Sequence, residues 1–125
     1  KMAAVESGSA GETYAKSFEG VNVKGALAQT DCLMEVKSGA ADFAVLDAQL
    51  AKSYCGKGNY TDLMIVDGLS SDVEYYAIGF KKGSDLTAKV NEKLVQYAGN
   101  GKLASLAEKY GLNNQVILDY TDQIK

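Results

Sequence analysis

The 125-residue chain contains no arginine, no histidine, no tryptophan and no proline, so all thirteen of its basic residues are lysines. Without histidine neither a Ser-His-Asp nor a Cys-His nucleophile system can be assembled, and the commonest nitrogen ligand for zinc is missing. Without arginine the chain cannot supply a bidentate clamp for a carboxylate or phosphate. These absences weigh against an ordinary hydrolase or metalloenzyme. No stretch approaches the ~20 apolar residues that a membrane helix needs. A net charge of −3 argues against nucleic acid or an anionic membrane as the main partner. Nor does the chain open like a signal segment: Lys1-Met2-Ala3-Ala4-Val5-Glu6 reads as a strand entered in mid-chain.

What is present suits one ordinary domain, or one lobe plus part of another. Apolar residues make up 46%, enough for a core, and charged residues 23%, enough for a solvated surface. Ala3–Ser7 reads as a strand stopped by Gly8-Ser9-Ala10-Gly11. A helix follows over Glu12–Phe18, then a strand over Val21–Lys24. Asp31 is placed to cap a second helix that ends at Gly39. Phe43–Leu46 is an apolar run too short for a helix and suited to a strand covered on both faces. A helix from about Ala48 to Tyr54, a glycine-rich loop and a further buried strand at Leu63–Val66 complete a βαβ rhythm.

The rhythm changes after Ser70-Ser71-Asp72. Val73–Phe80 is rich in β-forming residues, and Asp85–Tyr97 predicts a long amphipathic helix broken by Gly99-Asn100-Gly101. Leu103–Tyr110 predicts a shorter helix ended by Gly111, and Gln115–Tyr120 a final strand or an arm. Asp47 draws the first functional suspicion. It follows a buried strand, and open α/β sheets bind ligands outside the carboxyl ends of their strands.

Four segments carry a resemblance. They are Val5-Glu6-Ser7-Gly8-Ser9-Ala10-Gly11-Glu12, and Lys37-Ser38-Gly39-Ala40-Ala41-Asp42-Phe43-Ala44-Val45-Leu46-Asp47. Tyr76-Ala77-Ile78-Gly79-Phe80-Lys81-Lys82-Gly83-Ser84-Asp85-Leu86 is the third. The fourth runs Asn91-Glu92-Lys93-Leu94, Gly99-Asn100-Gly101-Lys102 and Glu108-Lys109-Tyr110-Gly111. In this order they resemble lobe two and the C-terminal return segment of the type II periplasmic solute-binding proteins, in the polar amino-acid branch of ABC importers. The resemblance implies an α/β lobe with a doubly wound, mostly parallel sheet and helices on both faces. It makes residues 1–70 the ligand-binding lobe and 71–125 the hinge crossing, near Ser70–Glu74, plus the return segment. It also implies that the N-terminal half of the family's chain, including its carboxylate-gripping arginine, is not here. The chain then reads as a truncated domain, a proteolytic fragment or a short relative.

The residues of the site follow from both arguments. Gly8, Ser9, Ala10 and Gly11 form a strand-to-helix turn, where free N–H groups and the helix dipole favour an anion such as an amino-acid carboxylate. The resemblance puts Ser9 where the family has a ligand-facing hydroxyl, whereas Ala10 stands where a second hydroxyl is common. Asp47 matches the family's acid that accepts hydrogen bonds from the ligand's α-ammonium, a task suited to a carboxylate. The structural alternatives are plain: Ser9 as a helix cap, Gly8 and Gly11 as turn residues, and Asp47 as the cap of the helix near Ala48. Gln29 and Thr30 are weaker candidates for the cleft rim. Asp42 reads as structural, and Tyr75 and Tyr76 as packing in the hinge strand. Cys32 opens one helix and Cys55 closes the next. That leaves them on the order of 12 Å apart, against the ~7 Å a disulfide tolerates, so two free thiols are expected.

The function so implied is capture, not catalysis. The chain reads as the substrate-binding component of an ABC importer, holding an amino acid between two lobes and handing it to membrane permease subunits. No cofactor, no metal and no nucleic acid is implied. The location is extracytoplasmic, periplasmic or on a bacterial cell surface as a lipoprotein. An incomplete chain could also self-associate through its unpaired strand edges. A second reading is the extracellular ligand-sensing module of a receptor or kinase. A third is a response-regulator-like receiver, but that needs an acidic pair after the first strand and a late Lys-Pro step, and the chain has neither.

Overall fold

The computed structural model describes residues 1–120, which divide into one unit over Lys1–Glu74 and a second beginning at Tyr75. The first unit holds β1 (Met2–Glu6), α1 (Ala10–Lys16), β2 (Asn22–Ala26), α2 (Gln29–Lys37), β3 (Phe43–Val45) and α3 (Ala48–Tyr54), followed by a single 3₁₀ turn at Gly58–Tyr60. The second holds α4 (Leu86–Gly99) and α5 (Lys102–Lys109).

Among the described residues the strands form one parallel three-stranded sheet in the order β2-β1-β3. The chain leaves β1 to one side for β2, then crosses back over β1 to reach β3. Parallel crossovers are right-handed, so reversing direction puts successive helices on opposite faces. The cores record this. Ala3 and Val5 pack with Ala15 of α1 on one face, fringed by Val21, Val23, Phe43 and Val45. Ala4 packs with Cys32 of α2 and Ala41 on the other, fringed by Met2, Val36, Ala44 and Leu46 among others. Ala3, Ala4 and Val5 are fully buried, which is why β1 reads as an unbroken apolar run rather than an alternating one. On the edge strand β2, Lys24 instead reaches α2, pairing with Glu35 at 2.6 Å.

Helix ends follow local chemistry. The second helix stops at Ser38, and Gly39 takes the left-handed conformation at φ +76°. Gly39 N–H donates to Val36 C=O at 3.0 Å and Ala40 N–H to Glu35 C=O at 2.9 Å, the paired closure of a Schellman motif. Gly111 closes α5 in the same way, with Gly111 N–H on Glu108 C=O and Leu112 N–H on Ala107 C=O. Gly101, at φ +80°, separates α4 from α5. No helix among the described residues is long and apolar enough to cross a membrane.

Several expectations are corrected. The second helix begins at Gln29 with Ala28 as its N-cap, so Asp31 lies in the first turn and does not cap it. Its charge still suits that end of the helix dipole. Leu63–Val66 is not a strand: Met64 is 80% exposed, and Leu63 N–H is turned back onto Tyr60 C=O. Val73–Phe80 is not a strand either, and Tyr75 and Tyr76 are largely exposed, not core residues of a hinge strand. Both runs have strand-like composition, yet a strand exists only where a neighbour completes its hydrogen bonds, and no strand among the described residues flanks them. Gln115–Tyr120 is likewise irregular, leaving the arm rather than the strand. The chain is thus α/β, with a parallel sheet of three strands among the described residues and helices packed on both of its faces.

Candidate functional site

The carboxyl ends of β1 and β3 lie side by side where the strand order reverses, the position at which open α/β sheets leave a crevice. Beyond β1, Gly8 turns the chain at φ +80°, a conformation costly for residues with a Cβ. Ser9 then caps α1 from an extended conformation, its Oγ accepting from Glu12 N–H at 3.1 Å. Glu12 answers by accepting from Gly8 N–H at 2.6 Å through Oε2, and its Oε1 pairs with Lys16 at 2.6 Å. This is a capping box shifted by one residue. Lys16 and the Gly8 amide hold the Glu12 carboxyl below the usual carboxylate range.

Glu12 is not among the site residues expected from the sequence, although Ser9-Ala10-Gly11-Glu12 displays the Ser-x-x-Glu signature of a capping box. Its effect on the site is direct. In this conformation the Gly8 amide is occupied by a carboxylate of the chain itself. The amides of Ala10 and Gly11 precede the first intrahelical bond, made by Thr13 N–H to Ser9 C=O, and donate to no capping side chain among the described residues.

Gly11 is more than a turn residue. A Cβ built on it would stand 2.9 Å from the Val45 carbonyl oxygen, 3.3 Å from Val45 Cγ1 and 3.4 Å from Ser9 Oγ. The first turn of α1 therefore rests on the last residue of β3, and only glycine allows that approach. Two residues beyond Val45 stands Asp47, half-buried. The structure thus brings Gly8, Ser9, Ala10, Gly11 and Asp47 to one end of the β1–β3 pair.

Asp47 is the N-cap of α3, its Oδ1 accepting from Gln49 N–H and Leu50 N–H, each at 2.9 Å. Its own N–H donates to Gln29 Oε1 at 2.8 Å, so Gln29 belongs to this cluster through Asp47. Thr30 follows in the first turn of α2, half-buried, with no side-chain hydrogen bond among the described residues. Asp42 lies at the opposite end of β3. There Oδ2 accepts from Met2 N–H at 2.6 Å and Oδ1 from Lys1 Nζ at 3.0 Å, a structural tie across the sheet that keeps its carboxyl low.

Both cysteines are free thiols. Cys32 is buried against β1, and that burial, reinforced by the charges of Asp31, Glu6 and Glu35, pushes its thiol up. Among the described residues no group of three or more His, Cys, Asp or Glu side chains could hold a metal ion.

No family model matches the chain, and no solved structure matches it. The chain is similar to the arginine-binding extracellular protein ArtP of Bacillus subtilis (strain 168), with 28% identity over 81 residues. The match covers 65% of this chain but only 32% of the relative's length.

Proposed function

We propose that the chain is the lobe of an extracytoplasmic solute-binding protein that captures an amino acid and presents it to the permease of an ABC importer. What carries the reading is that Gly8, Ser9 and the first helical residues Ala10 and Gly11, seated through Gly11 on Val45, lie at the same end of the β1–β3 pair as Asp47. The similarity to an extracellular arginine-binding protein supports it. The turn would take the α-carboxylate of the ligand, and Asp47 its α-ammonium.

A carboxylate offers about four acceptor positions, so capping α3 does not by itself exhaust Asp47. The Glu12 carboxylate, by contrast, competes with any ligand for the Gly8 amide and must swing aside for that amide to be used. The function is binding without chemistry, needing no cofactor. The remainder of the cleft would come from segments outside this chain, so isolated affinity is low. Losing two charge-assisted contacts, at roughly 1.5–3 kcal/mol each, weakens binding by roughly a hundredfold to ten-thousandfold.

An amide NMR titration of the chain with pooled amino acids, then with L-arginine, tests the proposal. Shifts at residues 8–12 and at Asp47, lost in Asp47→Ala, are expected. An unresponsive spectrum at millimolar ligand removes the half-site.

A further inference from the structure

We infer that Gln29 is the positioning residue for Asp47, setting where the carboxylate stands by holding its backbone rather than by touching ligand. The inference rests on the capture reading for its functional meaning, but its geometry is independent. Gln29 is the first residue of α2, and Asp47 follows β3, eighteen residues later in the chain. The bond between Gln29 Oε1 and Asp47 N–H, at 2.8 Å, therefore joins the start of one helix to the start of the next across the end of the sheet.

Three observations make this bond directive. Asp47 sits at φ −55° and ψ 134°, past the last residue of β3, so the ladder with β1, which ends at Val45, no longer fixes its N–H. Its Oδ1 is aimed by the Gln49 and Leu50 amides. Those amides fix the carboxylate relative to α3, whereas Gln29 fixes the residue relative to α2 and thereby to the β1 layer on which α2 packs. Finally, Gln29 spends its acceptor on this contact. An amide side chain has an acceptor end and a donor end, and the two ends give separable roles. Positioning needs the acceptor; direct recognition of a ligand carboxylate needs the donors.

The two roles are separated by Gln29→Leu, which removes both ends, and Gln29→Glu, which keeps the acceptor and removes the donors. Gln29→Ala runs in parallel should leucine disturb α2, with the β1 amides reporting that the fold is intact. On the full ¹⁵N-labelled chain, hydrogen exchange at the Asp47 amide is expected to accelerate about tenfold in Gln29→Leu and to stay near wild type in Gln29→Glu, as loss of one neutral hydrogen bond predicts. The Gln49 and Leu50 amide resonances should move in Gln29→Leu only, and L-arginine binding should weaken there and recover in Gln29→Glu. Unchanged Asp47 exchange in Gln29→Leu overturns the inference. Equal weakening of L-arginine binding in both variants, with Asp47 protection kept in Gln29→Glu, also overturns it, by assigning Gln29 to the ligand. If wild type shows no response to L-arginine, the capture reading loses its support, while the exchange comparison still decides the role of Gln29.

Discussion

The Val45 carbonyl oxygen occupies the space into which any side chain on Gly11 would project, 2.9 Å from where its Cβ would stand. Backbone thus packs against backbone at this point, and the first turn of α1 is seated on the end of β3. Gly11→Ala must push that turn away from β3. Overpacking of this kind costs about 1–3 kcal/mol. Urea unfolding should show the loss, with amide shifts at Ser9 and Val45 larger than elsewhere. An unchanged midpoint would mean that the contact relaxes without cost.

The two caps at this end of the sheet are separable from any ligand role. Ser9→Ala removes the acceptor for Glu12 N–H and should cost about 1 kcal/mol, the usual worth of an N-cap, with Ser9→Asp close to neutral. At Asp47, asparagine keeps a capping oxygen but loses the charge. Asp47→Asn should therefore retain stability near wild type while losing the response to amino acids, and Asp47→Ala should lose both. Thermal melts beside NMR titrations give the two readouts. A ligand response that survives in Asp47→Asn would assign the residue to capping alone.

Acid sensitivity should trace to two surface carboxyls. Glu12 is held low by Lys16 and the Gly8 amide, and Asp42 by the Met2 amide and Lys1. A carboxyl that ionises more readily in the folded state binds fewer protons there than in the unfolded chain, so it stabilises the fold at higher pH. That contribution is complete above the ordinary carboxyl range of about 4–4.5 and is lost as pH falls through the depressed folded values. Denaturation midpoints measured from pH 6 downward should fall less steeply in a Glu12→Gln, Asp42→Asn double variant. Parallel slopes would remove these groups from the acid response.

The thiols should react unequally. Burial raises the Cys32 thiol, leaving little thiolate at neutral pH, while Cys55 is only half-buried at the end of α3. An aromatic disulfide reagent at pH 8 should label one thiol quickly and the second only on denaturant addition. Cys55→Ser should abolish the fast phase. A fast phase that persists would place Cys32 within reach of solvent.

Much of the first unit was legible because its signals are local. Gly39 announced the stop of α2, Phe43–Leu46 the short strand, which is half-buried rather than buried, and Asp47 the start of α3 at Ala48. The β-rich runs at Leu63–Val66 and Val73–Phe80 misled because side-chain composition reports what a strand prefers, while pairing depends on a neighbour that composition does not encode. Asp31 misled for a different reason: a good capping residue inside the first turn looks like a cap in sequence, and Ala28 gives no sign that the helix starts beyond it. At the site, the turn and Asp47 could be named singly. Their meeting through Gly11 and Val45, and the bond from Gln29 to Asp47, join residues far apart in the chain. No periodicity marks such pairs.

Ala3 and Val5 face one helix layer while Ala4, between them, faces the other. The two cores therefore share a single wall one strand thick, and neither layer owns it. Anything that displaces β1 loosens α1 and α2 together, although the sheet stands between them. The end of the sheet that carries the Gly8 turn and Asp47 then takes its rigidity from Ala3, Ala4 and Val5 at the centre of the unit.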